Sequence, residues 1–211
     1  MLKIDLYTDI ICPWCIVGQY RLDKVLKERF PGLQADIHHH PVLLMPDIPA
    51  EGVLIADLLP ERYGVHNPEA AFSRVEREAR LSGLELNLKG QPRAYPTQAA
   101  HALILAARSR GTQHPLAVAI TEAYFLKAMN IASAEVLADI ATSYGFERSE
   151  ALAVAEEPAW HARVDQAVAD AFSAGVQSVP HFVFNARVAF SGGRSEDEIT
   201  GAVENALLRA E

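Results

Sequence analysis

The feature that most constrains this chain is a pair of cysteines, Cys12 and Cys15, which are the only two in 211 residues. Apolar and polar residues alternate over residues 2–7, and this period of two predicts a strand just before the pair. From Pro13 to about Phe30 the apolar residues recur with helical spacing, which predicts a helix. The two cysteines therefore lie where a strand gives way to a helix.

This position makes Cys12 a candidate nucleophile. Pro13 suits the first helical position, where its missing N–H costs nothing. Cys12 then becomes the N-cap, with the N–H groups of Trp14 and Cys15 free to face its sulfur. The partial positive charge at a helix start favours a thiolate over a thiol. Cys15, one turn further in, is the candidate resolving thiol, and Pro13 and Trp14 form the dipeptide that tunes the stability of the thiolate.

Two other interpretations of the pair are weaker. A structural disulfide across two intervening residues closes a very small loop and constrains little of the unfolded chain. A structural zinc site needs four ligands. The run His38–His40 offers at most two, because adjacent strand residues point to opposite faces. We therefore expect no metal, and we interpret the run as strand surface plus one buried, hydrogen-bonded imidazole.

Net charge and hydropathy argue against a nucleic-acid partner and against a membrane-spanning helix. The formal net charge of −8 disfavours nucleic acid, since phosphate binding needs clustered Lys and Arg. No uninterrupted apolar run approaches the ~20 residues of a membrane-spanning helix. The chain begins directly in a predicted strand, without the pattern of a signal peptide. We expect a cytoplasmic protein, in which a dithiol rests mostly reduced.

The middle of the chain is predicted to be helical almost throughout, from about residue 54 to residue 174. Glycines end several of its segments, and Ser133 and Ser149 are candidate N-caps. Before this block, Ala35 to His40 predicts a second strand that Pro41 stops. After it, the predicted elements are a strand over His181–Phe184, a turn at Asn185–Ala186, a strand over Arg187–Ser191 and a helix from Ser195 to about Arg209.

Without the helical block, the order of elements is βαβ followed by ββα. A Cys-x-x-Cys pair beside a βαβ pattern indicates a thioredoxin-like redox motif. The predicted fold is therefore an α/β thioredoxin fold with a large all-helical insertion. We assign residues 1–53 and 160–211 to a discontinuous thioredoxin-like domain, and residues 54–159 to an inserted helical domain.

Three segments carry a family resemblance: Cys12–Gly18, Met45–Gly52 and Gly175–Val183. Together they resemble the DsbA-like branch of the thioredoxin superfamily, and within it the FrnE-type dithiol–disulfide isomerases and oxidoreductases. The resemblance implies that Pro180 is a cis-proline facing the dithiol, and that the backbone of Val179 pairs with an extended substrate peptide.

Ser178 and His181 are among the residues of the predicted substrate region that depart from the family pattern. Ser178 stands where relatives usually have glycine, and His181 stands where an aromatic residue is common. His181 is also a titratable group that we expect near Cys12, with a surface position as the alternative.

The resemblance implies a thiol–disulfide oxidoreductase or isomerase that works through a mixed disulfide at Cys12, which Cys15 resolves. Its partners would be a disulfide-containing protein or small thiol and a cellular reductant such as glutathione or thioredoxin. No cofactor is expected beyond glutathione as a co-substrate. Two alternatives stay open: a glutathione-dependent isomerase or transferase of the hydroxychromene-carboxylate or kappa type, and a non-catalytic peptide- or metal-binding protein of the same fold.

Overall fold

A four-stranded sheet forms the centre of the molecule. The structure is a computed structural model, and it describes residues 1–208. The strands of this sheet lie in the order β2 (Ala35–Pro41), β1 (Leu2–Thr8), β5 (His181–Phe184) and β6 (Val188–Ser191). β1 and β2 are parallel, and the β1–β5 and β5–β6 pairs are antiparallel. This arrangement confirms the predicted thioredoxin fold. The other described strands are β3 Val53–Leu54 and β4 Arg93–Ala94.

Helices account for most of the remaining chain. In chain order they are α1 Pro13–Arg29, α2 Ile55–Tyr63, α3 Pro68–Leu81, α4 Gln98–Ala106, α5 Gln113–Lys127, α6 Ala134–Ala141, α7 Arg148–Glu156, α8 Pro158–Ser173 and α9 Glu196–Leu208. Short 3₁₀ turns cover residues 88–90, 107–110 and 142–144. None of the described helices is long and apolar enough to cross a membrane.

The alternation in β1 places its apolar side chains on one face of the sheet. Leu2, Ile4 and Leu6 are at most 1% exposed and pack with Phe182 and Phe184 of β5. Helices α1 and α9 cover this face, and the resulting core fixes where β1 ends and α1 begins. The core therefore holds the segment with the two cysteines against the sheet.

The β5–β6 hairpin forms as the sequence predicts. Asn185 and Ala186 both have positive φ, 49° and 54°, as a two-residue turn of the I′ type requires. The Asn185 side chain also accepts a hydrogen bond from the Lys3 N–H at 2.9 Å, which ties the turn to the edge of β1.

The inserted region is helical apart from one short ribbon. Val53 and Leu54 pair antiparallel with Ala94 and Arg93, a two-residue ladder that hydropathy patterns do not reveal. The helices of this region share one apolar core with residues 10–17, the segment that contains the dithiol. The division of the chain into two domains at residues 53/54 and 159/160 stays a prediction.

One predicted helix start differs from the structure and another agrees with it. Ser149 is not an N-cap, because α7 already begins at Arg148 with Glu147 in the N-cap position. The last helix starts as predicted, with Ser195 and Glu198 forming reciprocal hydrogen bonds of the capping-box kind. Its predicted end at Arg209 lies outside the described residues.

Candidate active site

Cys12 is the N-cap of α1, as the sequence predicts. Its φ and ψ of −81° and 115° are extended, and Pro13 is the first helical residue. The sulfur, however, makes no capping hydrogen bond, because the Cys15 N–H donates to the Cys12 carbonyl at 2.9 Å. The expectation that the Cys15 N–H is free for the sulfur is therefore wrong. The Cys12 thiol instead lies 3.8 Å from the carbonyl oxygen of Val179.

Cys15 lies deeper than Cys12, with 2% of its surface exposed against 6%. Both cysteines are free thiols. Burial raises the pKa of the Cys15 thiol well above its usual range, and the hydrogen bond with Cys12 raises it further. A main-chain hydrogen bond from Asp9 acts in the opposite direction. A proton acceptor is therefore needed before the Cys15 sulfur can act as a thiolate.

The peptide bond between Val179 and Pro180 is cis, as the family resemblance implies. It lies directly against α1. A Cβ atom on Gly18 would come within 3.0 Å of Pro180 Cγ and 3.1 Å of the Phe182 ring. Glycine at position 18 thus lets the first helix approach this proline closely.

Trp14 is wedged between two other segments. A Cβ on Gly193 would lie 2.5 Å from its Cε3 atom, and the Arg74 guanidinium lies 5.7 Å from its ring centroid. An open groove of about 320 Å³ beside the ring is lined by Val179 and by the cationic residues Arg74 and Arg194.

A cavity of about 390 Å³ opens beside Cys12, and we call it the dithiol cavity. Its walls come from the Cys12 turn, the loop after β2 and helices α2, α3 and α5. Among its lining residues Arg74 is the one charged side chain, and most of the others are apolar. Cys12 lines this cavity and Cys15 does not. The lining is Ile11, Cys12, Pro13, Trp14, Leu44, Met45, Ile55, Leu58, Leu59, Tyr63, Val65, Ala71, Phe72, Arg74, Val75, Leu88, Gln91, Ala94, Tyr124 and Phe125.

Ser178 and His181, the other predicted substrate residues, flank the Val179–Pro180 peptide bond. Ser178 is exposed. His181 accepts or donates through Nδ1 to the Ser191 hydroxyl at 2.7 Å and packs on Tyr7, with ring centroids 5.6 Å apart. Burial lowers the pKa of His181, which keeps the ring neutral near pH 7. A neutral imidazole bonded to β6 is a poor electrostatic partner for a thiolate at Cys12.

Sequence reasoning missed a buried polar pair behind the dithiol, Asp9 and His101. Asp9 is fully buried, and its Oδ2 accepts a hydrogen bond from the Leu44 N–H at 2.8 Å. Its Oδ1 lies 3.5 Å from His101 Nε2, and neither atom has a hydrogen-bond partner among residues 1–208. The Asp9 carbonyl also accepts from the Cys12 N–H at 3.1 Å. An acidic residue just past a buried strand and before the cysteines was the available signal for Asp9, whereas nothing local marks His101.

Three solved structures illustrate which proteins share this fold. A probable DsbA oxidoreductase from Streptomyces coelicolor is 24% identical, with a TM-score of 0.87 over 100% of this chain and 92% of that chain. The cytosolic disulfide reductase DsbM from Pseudomonas aeruginosa, solved with GSH, is 19% identical, with a TM-score of 0.67 over 98% and 99%. A 2-hydroxychromene-2-carboxylate isomerase is 16% identical, with a TM-score of 0.70 over 98% and 95%.

None of the curated proteins compared with the chain matches it. A family match nevertheless covers residues 3–204, under the description DSBA-like thioredoxin domain. It spans the sheet, the inserted helices and both segments that meet at the dithiol. By this match and by its fold, the chain is a member of the DSBA-like thioredoxin domain family.

Proposed function

We propose that the protein is a thiol–disulfide oxidoreductase or isomerase with Cys12 as nucleophile and Cys15 as resolving thiol. The observation that carries this proposal is the unequal placement of the two sulfurs. Cys12 lies at a helix start, lines the dithiol cavity and approaches the Val179 carbonyl. Cys15 is buried behind it, and burial raises its pKa. Attack on an incoming disulfide therefore falls to Cys12.

The exchange proceeds in two steps. The Cys12 thiolate attacks one sulfur of the substrate disulfide, a Cys12–substrate bond forms, and the other substrate sulfur leaves as a thiolate. Cys15 then loses its proton and attacks the Cys12 sulfur, which releases the second substrate thiolate and leaves a Cys12–Cys15 disulfide. The substrate gains two electrons. A dithiol or two molecules of a monothiol such as glutathione return the protein to its reduced form. If a different thiolate of the same substrate attacks the Cys12-bound sulfur first, a new substrate disulfide forms, Cys12 leaves as a thiolate and the substrate is isomerised.

The second step needs an acceptor for the Cys15 proton. Asp9 is the acidic residue that acts on the pKa of the Cys15 thiol, and its Oδ1 has no hydrogen-bond partner among residues 1–208. We assign its carboxylate this role, with His101 Nε2 as the neighbouring polar atom at 3.5 Å from Oδ1. A positioned base of this kind contributes on the order of 10²–10⁴-fold to proton transfer.

Two adjoining surfaces suit different parts of a substrate. The apolar dithiol cavity suits an aliphatic or aromatic group next to the disulfide. The groove beside Trp14 presents Arg74, whose guanidinium suits a carboxylate of an acidic thiol such as glutathione. Arg194 lines the same groove, but its guanidinium already bonds Glu198 at 3.1 Å. The neighbouring DsbM structure, which was solved with GSH, supports this choice of reductant.

The test is to trap the mixed disulfide. A Cys15→Ala variant is mixed with a disulfide peptide and with oxidised glutathione, and mass spectrometry then locates the adduct. We expect one adduct per chain at Cys12. The matched Cys12→Ala variant, which keeps the buried thiol, is expected to form none at the same pH. Absence of the Cys12 adduct, or equal labelling of both variants, would refute the assignment.

A glutathione-dependent isomerase is a second candidate, because the dithiol cavity has the size and apolar lining for a small aromatic compound. The 2-hydroxychromene-2-carboxylate isomerase among the structural neighbours has the same fold. A chromene-carboxylate isomerisation assay with glutathione, run on the parent and on Cys12→Ser, separates the two. Activity that survives the serine substitution favours the isomerase, since thiol exchange cannot proceed without the Cys12 sulfur.

A further inference from the structure

A second cluster of reactive side chains lies on the sheet face opposite the α1–α9 core. In the parallel pairing of β1 with β2, Asp5 stands opposite His38 and Tyr7 stands opposite His40. Since side chains alternate along a strand, Asp5, His38 and His40 share one face, while His39 points to the other and is buried. Two of the three adjacent histidines thus converge, and Asp5 from the neighbouring strand joins them.

The three side chains meet at short distances. Asp5 Oδ1 lies 2.8 Å from His40 Nε2 and 3.7 Å from His38 Nδ1. The ring centroids of His38 and His40 are 4.1 Å apart, and one potential ligand atom from each residue lies within 4.8 Å of the others. The side chains are 23–37% exposed, so an ion can reach them from solvent.

The surroundings favour a cation here. The Tyr7 ring stacks on His40 with a centroid distance of 4.5 Å, which orients the imidazole. The nearby Arg108 is held by both oxygens of Asp36, at 2.6 and 2.8 Å, so its charge is compensated.

We propose that Asp5, His38 and His40 form a binding site for a divalent transition-metal ion, with Zn²⁺ as the ion that fits best. Two imidazole nitrogens and one carboxylate oxygen form a ligand set that Zn²⁺ accepts, and a fourth position stays open for water. The site is separate from the dithiol and does not depend on the proposed redox function. It departs from the expectation, drawn from the sequence, that no metal is bound.

The test must exclude the cysteines, because thiolates bind zinc strongly. We therefore use untagged, full-length protein with Cys12→Ser and Cys15→Ser, and Co²⁺ as a coloured probe. We expect a visible cobalt absorption band that saturates at one ion per chain and that Zn²⁺ abolishes by displacement. Competition against a chelating dye then gives the zinc affinity.

Ligand substitutions decide the outcome. His38→Ala, His40→Ala and Asp5→Asn are each expected to weaken zinc binding about tenfold or more. The matched control His66→Ala, which changes an exposed histidine elsewhere, is expected to leave the affinity unchanged. Zinc should also raise the unfolding midpoint of the thiol-free parent and not that of His38→Ala. The proposal is overturned if the thiol-free parent binds no cobalt, or if His38→Ala binds zinc as tightly as the parent does. Should His40→Ala not fold, the His38→Ala result decides alone.

Discussion

Asp9→Asn is the most informative single substitution, because the two ways of interpreting the Asp9–His101 pair predict opposite changes in stability. The carboxylate is fully buried, and only its Oδ2 is hydrogen-bonded among the described residues, to the Leu44 N–H. Asparagine keeps an oxygen for Leu44 and places an amide N–H₂ beside His101 Nε2. It therefore replaces an unpaired carboxylate oxygen with a hydrogen-bond donor.

The size of the effect follows from these contacts. Leaving a buried polar group unpaired costs about 1–3 kcal/mol, and a new hydrogen bond contributes about 1 kcal/mol. We expect Asp9→Asn to raise the free energy of unfolding by about 2 kcal/mol, which corresponds to ~4–8 °C in Tm for a chain of this size. If Asp9 instead forms a charged pair with protonated His101, removing one partner would cost ~3–5 kcal/mol.

Urea unfolding of the reduced proteins at pH 7 measures this difference. The control Asp47→Asn changes an exposed carboxylate and is expected to stay within ~0.5 kcal/mol of the parent. A lower stability for Asp9→Asn would refute the view that the carboxylate is held at an energetic cost. It would indicate a stabilising ion pair in its place.

The same variant tests the proposed role of Asp9 in exchange. Without the carboxylate, the mixed disulfide at Cys12 should persist, with resolution slowed on the order of 10²-fold at pH 7. Because burial raises the pKa of Cys15, resolution in Asp9→Asn should recover as the pH rises, when hydroxide replaces the missing base. Equal resolution rates in parent and variant at pH 7 would remove Asp9 from the mechanism.

Three further substitutions test the packing around the site. Arg21→Met should lower the free energy of unfolding by about 3 kcal/mol, because Arg21 is 3% exposed and its guanidinium bonds Glu78 and three main-chain carbonyls. A loss of less than ~1 kcal/mol in urea unfolding would contradict this prediction. Gly193→Ala should displace Trp14, costing about 1–3 kcal/mol and slowing insulin reduction, and unchanged Trp14 fluorescence would argue against it. Burial lowers the pKa of His39 well below its usual value. Below a pH of about 6.5 the unfolded chain therefore binds a proton at His39 that the folded chain does not bind, and the free energy of unfolding should fall. Urea unfolding at pH 7.5 and 5.5 should show a smaller fall for His39→Gln, and an equal fall in both proteins contradicts the assignment.

Much of the fold follows from local patterns. The alternation in residues 2–7 and the helical spacing after Pro13 predict β1 and α1, and the structure has both. The Asn185–Ala186 turn forms where two β-rich runs meet. The ribbon of Val53–Leu54 with Arg93–Ala94 was missed, because two residues are too few to show a period.

The candidate site, like the fold, follows from local patterns only in part. Local patterns along the chain place the two thiols at a strand-to-helix junction, because capping and hydrophobic period act on neighbouring residues. Only the tertiary structure brought His101 to Asp9, Arg74 to Trp14, and His38 and His40 to Asp5. Contacts of this kind depend on how distant segments pack and on what burial does to charge, and no pattern along the chain encodes those distances.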